Sequence, residues 1–127
     1  MGFQVTFENG VIIFVCGEEF TSEDFNQFLG ILGKLLDKKE PFVFVINATK
    51  PKNIPLKAPI TLIKWMKKNK PRIPGILVGS SVIFKNPKIS ALLNWAFQKQ
   101  KPVSPNIITT DPDKAYKFVK DIIDERK

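Results

Sequence analysis

The chain has 127 residues, 43% of them hydrophobic and 25% charged, with a formal net charge of +8. Its length and composition are those of one globular domain, able to bury roughly two-thirds of the surface its unfolded chain exposes. It has no histidine and one cysteine, Cys16, which excludes Cys/His zinc sites, Ser-His and Cys-His nucleophile pairs and an internal disulfide.

Phe3, Val5 and Phe7 alternate with Gln4, Thr6 and Glu8, which predicts a strand with one wet face. Asn9-Gly10 separates it from the apolar run Val11 to Cys16. Both linking residues tolerate positive φ, so an antiparallel hairpin is expected, its first strand at an edge and its second buried. Thr21 is an expected N-cap, with Asp24 three residues on, Glu23 in the first turn, and Phe20 and Phe25 in staple positions. Phe25, Phe28, Leu29, Leu32, Leu35 and Leu36 then recur along one helical face. Gly30 and Gly33 each cost this helix about 1 kcal/mol relative to alanine, and close packing on the sheet is the expected return. Lys38, Lys39 and Glu40 end the helix, and Pro41 blocks its continuation.

Phe42-Val43-Phe44-Val45-Ile46, closed by Asn47, is an aromatic and β-branched run. It reads as a strand buried on both faces, at the centre of a sheet. A connector stiffened by Pro51 and Pro55 runs from Ala48 to Ala58, and Pro59 suits the first turn of the next helix. There Leu62, Ile63 and Met66 form the expected buried side, and Thr61, Lys64, Lys67 and Lys68 the wet side. Trp65 lies at the edge between them, and Asn69-Lys70-Pro71 ends the helix. Ile73 to Ser80 is strand-like, strongest at Ile76 to Val78, with Ser80 to Phe84 either continuing or turning away. Asn86-Pro87 starts an expected third helix, with a buried stripe of Ile89, Leu92, Leu93, Ala96 and Phe97 and with Trp95 on the side of Lys88 and Lys99. Asn106 to Thr109 is a short strand. Asp111-Pro112 opens a last helix in which Ala115, Phe118, Val119 and Ile122 face inward.

The order β-β-α-β-α-β-α-β-α predicts an α/β fold in a single domain, residues 1–127. A mixed five-stranded sheet is expected, antiparallel at the opening hairpin and mostly parallel beyond it, with four helices packed on it. This order, with Val43 to Asn47, Ile76 to Ser80 and Ile107 to Lys117 as its distinctive segments, resembles the STAS family, the fold of bacterial anti-sigma-factor antagonists. It also resembles the STAS/SEC14-like group of small proteins. The resemblance spans nearly the whole chain and lies in topology and pattern. It implies a protein-docking face on the loop after the central strand and on the helix that follows. STAS antagonists carry there an Asp-Ser-Ser-Gly-like turn whose serine is phosphorylated. The matching positions here fall near Pro55-Leu56-Lys57-Ala58, and no Ser or Thr lies between Lys50 and Ile60. No phospho-switch is therefore expected at the start of that helix, and no single functional residue of the family carries over.

Charge is distributed unevenly. Residues 1–40 hold seven acids and three bases, residues 41–110 twelve bases and no acid, and residues 111–127 five of each. Lys50, Lys52, Lys57, Lys64, Lys67 and Lys68, with Trp65 at their edge, form the expected partner-binding face. Lys88, Trp95 and Lys99 form a second candidate surface. Such a field either attracts an anionic partner or merely solvates the surface. Of the 20 bases, 18 are lysine, which disfavours sequence-specific nucleic-acid readout, where arginine leads. Other signals are weak. Cys16 reads as a core residue, and Glu18 with Glu19 as a solvated loop. Gly75 to Ser81 lacks the Gly-Lys-Ser/Thr of a P-loop, and nothing fixes Ser80 or Ser81 against Lys85 as a nucleophile pair.

The sequence therefore reads as a non-enzymatic interaction module that binds a protein partner, or itself, through the basic loop and helix. The alternative is an anionic membrane or nucleic acid on the same face. A small lipid carrier or hydrolase follows only by fold analogy. No cofactor or metal is expected. No apolar run approaches the ~18 residues of a membrane span, the N-terminus lacks a signal-peptide pattern, and one lone cysteine suits a reducing compartment. A cytoplasmic location is the resulting expectation.

Overall fold

In the computed structural model of the chain, which describes residues 2–51, 57–88 and 104–126 together with 91 and 94, Asn9 and Gly10 take φ of 53° and 82°. Two consecutive positive φ values give a turn whose twist matches the flanking strands. It joins β1 (Phe3–Glu8) to β2 (Val11–Cys16) as an antiparallel pair. Helix α1 (Ser22–Asp37) follows, then β3 (Phe42–Ala48), α2 (Ala58–Lys68), a 3-10 turn (Lys70–Arg72), β4 (Leu77–Phe84), β5 (Asn106–Thr109) and α3 (Pro112–Glu125). The sheet order is β1-β2-β3-β4-β5, and every pair after the first is parallel.

A sheet whose parallel strands lie in sequence order steps the same way at each crossover. Crossovers are right-handed, so their helices fall on one face. Accordingly α1 and α2 share a core with Phe14, Phe44, Leu77 and Phe84. The other face of β3 and β4 is left to α3, which packs Ala115, Val119 and Ile123 on Val43, Val45, Val78 and Ile83. β3 is thus the middle strand and is buried on both sides, as its unbroken apolar run requires. β4 continues through Ser80 to Phe84 and is buried along its whole length.

Local signals explain the boundaries. The Thr21 hydroxyl accepts from the Asp24 amide at 3.1 Å, and the Asp24 carboxylate accepts from the Thr21 amide at 3.0 Å, a closed capping box. Asp111 caps α3 by accepting from the amides of Asp113 and Lys114. The first core is built on phenylalanine. Phe28 lies 4.1 Å from Phe14 and 5.7 Å from Phe44 between ring centroids, and Phe14 lies 4.6 Å from Phe3. Ser81, fully buried on the α3 side of the sheet, donates to the Ala115 carbonyl at 3.1 Å and pins α3 down.

Several sequence expectations need correction. Among the described residues there are three α-helices, not four. Of the helix expected after Asn86, only Pro87, Lys88, Ala91 and Asn94 are described, all of them helical, and at its start Asn86 Oδ1 accepts from the Lys88 amide at 2.9 Å. Its stripe of Ile89, Leu92, Leu93, Ala96 and Phe97 lies outside the described residues, as do Pro55 and its neighbours in the connector. Gly30 and Gly33 do not admit the sheet, because a Cβ on either meets nothing within 4 Å. Where a helix does lie close on the sheet the glycine is Gly79 in β4, at which a Cβ would lie 2.6 Å from Ile122 Cδ1. Ile63 is only partly buried, and α3 turns Ile123 inward ahead of Phe118 and Ile122. The spacing 115, 119, 123 follows the sheet more closely than the stripe ending at 122.

Two substitutions test this packing in opposite directions. Phe28→Ala, in a fully buried ring cluster, is expected to lower unfolding free energy by about 3–5 kcal/mol. Gly30→Ala, into open space within a helix, is expected to raise it by about 0.5–1 kcal/mol. Urea unfolding followed by circular dichroism measures both.

Candidate functional site

The end of β3 turns the chain out of the sheet by a side-chain device. Asn47 Oδ1 accepts from the Thr49 amide at 3.2 Å and from the Thr49 hydroxyl at 2.7 Å. An Asx turn of this kind substitutes for the next ladder bond. It leaves Lys50 exposed. Lys52 lies outside the described residues. Lys57 then occupies the N-cap of α2 without a side-chain hydrogen bond, since an ammonium cannot accept from the first-turn amides.

Within α2, Ala58, Leu62 and Met66 are buried. Lys57, Ile60, Lys64, Lys67 and Lys68 recur at intervals that place them together on the outward side, and all five are exposed. Ile60 is 55% exposed, one of two large exposed apolar residues among those described. It lies among the lysines, an arrangement that the sequence reading passed over. The helical period that set Lys64 and Lys68 on the wet side carries back four residues to Ile60. Trp65 is partly buried and packs on the core below, so it borders the face and does not project from it.

None of Lys57, Lys64, Lys67 and Lys68 forms an ion pair among the described residues. Among the described residues, the acid of residues 1–40 that pairs with a base of this region is Asp37, with Arg72. Arg72 also donates to the Gly33 carbonyl at 3.2 Å and to Asn69 Oδ1 at 2.8 Å. Buried Asn69 in turn donates to the Trp65 carbonyl at 2.9 Å. The only arginine of residues 41–110 therefore ties the C-terminal ends of α1 and α2 together, and the field of the outer face is carried by lysine alone. Sequence alone marks this strut faintly, by an acid at the last position of α1 and a lone arginine after α2.

The second candidate surface is represented by Lys88, which is exposed; Trp95 and Lys99 lie outside the described residues. Ser80 and Ser81 are both buried, point to opposite faces of β4 by strand alternation, and are not brought to the exposed Lys85. Glu18 and Glu19 are exposed in the turn before α1. Cys16 is buried, and its thiol is pushed up to about 12, first by desolvation and then by the nearby Asp24 carboxylate. Among the described residues no helix is long and apolar enough to cross a membrane.

No family model matches the chain, and no curated protein matches it. Among solved structures it is similar to an uncharacterized protein of the DUF3478 family, with a SpoIIAA-like fold, from Shewanella loihica PV-4. The TM-score is 0.61 at 16% identity, over 92% of this chain and 91% of that one. That is the fold of the anti-sigma-factor antagonists, so the chain has the STAS-like fold its sequence resembles.

The buried thiol gives a pH-dependent expectation. Its folded pKa lies above its ordinary value of 9.0, so folding favours the protonated form. The stability this contributes is complete below pH 9 and is lost as pH rises from 9 towards about 12. At pH 8, a disulfide reagent such as DTNB should react with Cys16 only at the rate of unfolding. Immediate labelling of folded protein would show the thiol to be accessible.

Proposed function

We propose that the chain is a non-enzymatic module that binds an acidic protein partner through the loop after β3 and the outward side of α2. The observation that carries this reading is a set of lysines, without ion pairs among the described residues, around an exposed apolar residue, Ile60, on one helix face. An apolar centre rimmed by charge is the anatomy of a protein interface. The positive rim supplies steering and sign selection, and Ile60 supplies area to remove from water. The place of the face also supports the reading, because the resemblance to STAS antagonists implies docking on this loop and helix. The absence of a hydroxyl between Lys50 and Ile60 makes recognition here a matter of standing charge and not of phosphorylation. Arginine poverty speaks against base readout on the same face. The cytoplasm is the compartment this reading assumes, and the lone, buried Cys16 suits it.

The test begins with capture of partners on immobilised protein and elution by salt, then uses the purified partner. Reversal of Lys64, Lys67 and Lys68 to Glu removes three exposed pairs. At about 0.5 kcal/mol each the loss is about tenfold in affinity, with a flatter salt dependence, since such attraction is screened over about 8–10 Å. Circular dichroism controls for folding. Unchanged affinity and salt slope in a folded triple variant would mean that these lysines only solvate the surface. Loss of binding to anionic vesicles or RNA, with protein binding intact, would transfer the face to the alternative class of partner.

A further inference from the structure

We infer that two copies of the chain join edge to edge, β1 pairing antiparallel with β1 of the second copy across a two-fold axis at Val5. This surface uses none of the residues of the α2 face and does not rest on that reading.

β1 ends the sheet and pairs only with β2 among the described residues. The hairpin register decides which of its backbone groups remain free. The Gly17 amide donates to the Gly2 carbonyl at 2.7 Å, and pairing runs without a slip from Phe3↔Cys16 to Glu8↔Val11. In an antiparallel ladder every second residue pair exchanges its hydrogen bonds. Counting from Gly2, the backbone of Gln4, Thr6 and Glu8 turns towards β2. The amides and carbonyls of Phe3, Val5 and Phe7 therefore point to the open edge.

Open edges are templates for further strands, and soluble proteins blunt them with lysine, proline or a bulge. β1 has none of these, and its one charge, Glu8, stands at its end. Its first five residues, Phe-Gln-Val-Thr-Phe, have nearly the same character in either direction. Antiparallel pairing about Val5 sets Phe3 against Phe7 of the second copy, Gln4 against Thr6 and Val5 against itself. No like charges oppose, and every outward amide and carbonyl of Phe3, Val5 and Phe7 finds a partner.

The side chains of the same edge are complementary to one another. α1 overhangs β1 with Gln27, Gly30, Ile31 and Lys34, leaving an open cleft of about 730 Å³ floored in part by Phe3 and Val5. Gly30 keeps it open, since no side chain fills the space. Phe7 is 53% exposed on the same face of the sheet. A two-fold axis normal to the sheet brings Phe7 of one copy beside Phe3 of the other, at the mouth of this cleft. One patch thus supplies both the projecting ring and the hollow, as an isologous interface requires.

Charge selects the occupant. A chain of net charge +8 repels its own copy, and the excess sits in residues 41–110. β1 and α1 belong to residues 1–40, where acids outnumber bases seven to three. At this edge two copies meet away from the lysine-rich stretch that carries the excess charge, and the edge offers nothing to the anionic partner expected on α2.

Sedimentation velocity on the whole chain, from low to high micromolar concentration, should show a monomer–dimer equilibrium. Val5→Pro removes an outward amide that β2 does not use, at an edge position where proline is tolerated. Phe7→Lys places a charge on the edge. Each variant should weaken dimerisation about tenfold or more while retaining the circular dichroism of the fold. Hydrogen exchange should show the amides of Phe3, Val5 and Phe7 gaining protection as wild-type concentration rises, a readout that decides the matter even if Val5→Pro fails to fold. A wild type that stays monomeric, a folded Phe7→Lys variant that dimerises normally, or a dimer protected elsewhere would each overturn the inference. Protection of these amides only on adding a foreign extended peptide would assign the edge to a different partner and overturn it equally.

Discussion

β3 can be a run of bulky apolar residues because both of its faces are covered, and the rest of the architecture follows from how that cover is supplied. Sequential parallel crossovers of one hand put α1 and α2 over one face and cannot serve the other. The second face depends on α3, a helix that is not a crossover at all and must return after β5. Its attachment is specific: apolar contacts to Val43 and Val45, the missing side chain at Gly79 and the Ser81 bond to Ala115. A buried hydroxyl left without that carbonyl would itself cost about 1–3 kcal/mol, so the polar contact favours one seating of α3 over its neighbours.

The same arrangement frees the outer side of α2. Its inner side is held by Leu62 and Met66 in the phenylalanine-rich core, and its C-terminal end by the Asn69–Arg72–Asp37 strut. With orientation set from within and at one end, the outward residues carry no structural duty. Exposed lysines contribute little to stability wherever they sit, so charge can accumulate there without disturbing the fold. Lys67 and Lys68 in the last turn also suit the negative end of the helix dipole.

Two surfaces of different character result. The α2 face is basic and carried by side chains, so the recognition proposed for it is electrostatic and screened by salt. The β1 edge is nearly neutral and offers backbone groups beside an apolar cleft, so the pairing inferred for it depends on register and shape. Among the described residues, Asp37 is the acid of residues 1–40 that meets a base of the basic region.

The sequence by itself determined the elements and most of their order of burial. Alternation marked β1, the Asn9-Gly10 pair marked the hairpin, and the Thr21–Asp24 spacing marked the start of α1, because each reflects forces acting over a few residues. It also determined that β3 lies inside, since no half-exposed strand would carry Phe42 to Ile46. Tertiary structure alone decided which glycine meets a neighbour, Gly79 and not Gly30, because that depends on how α3 crosses β4 and not on either local pattern. It decided that Arg72 braces two helices, since Asp37 lies 35 residues away in the chain. It decided, too, that the apolar Ile60 stands outside among lysines. The helical period puts Ile60 with the lysines while its apolar side chain favours the core, and the packing of Ala58, Leu62 and Met66 into that core decides between the two.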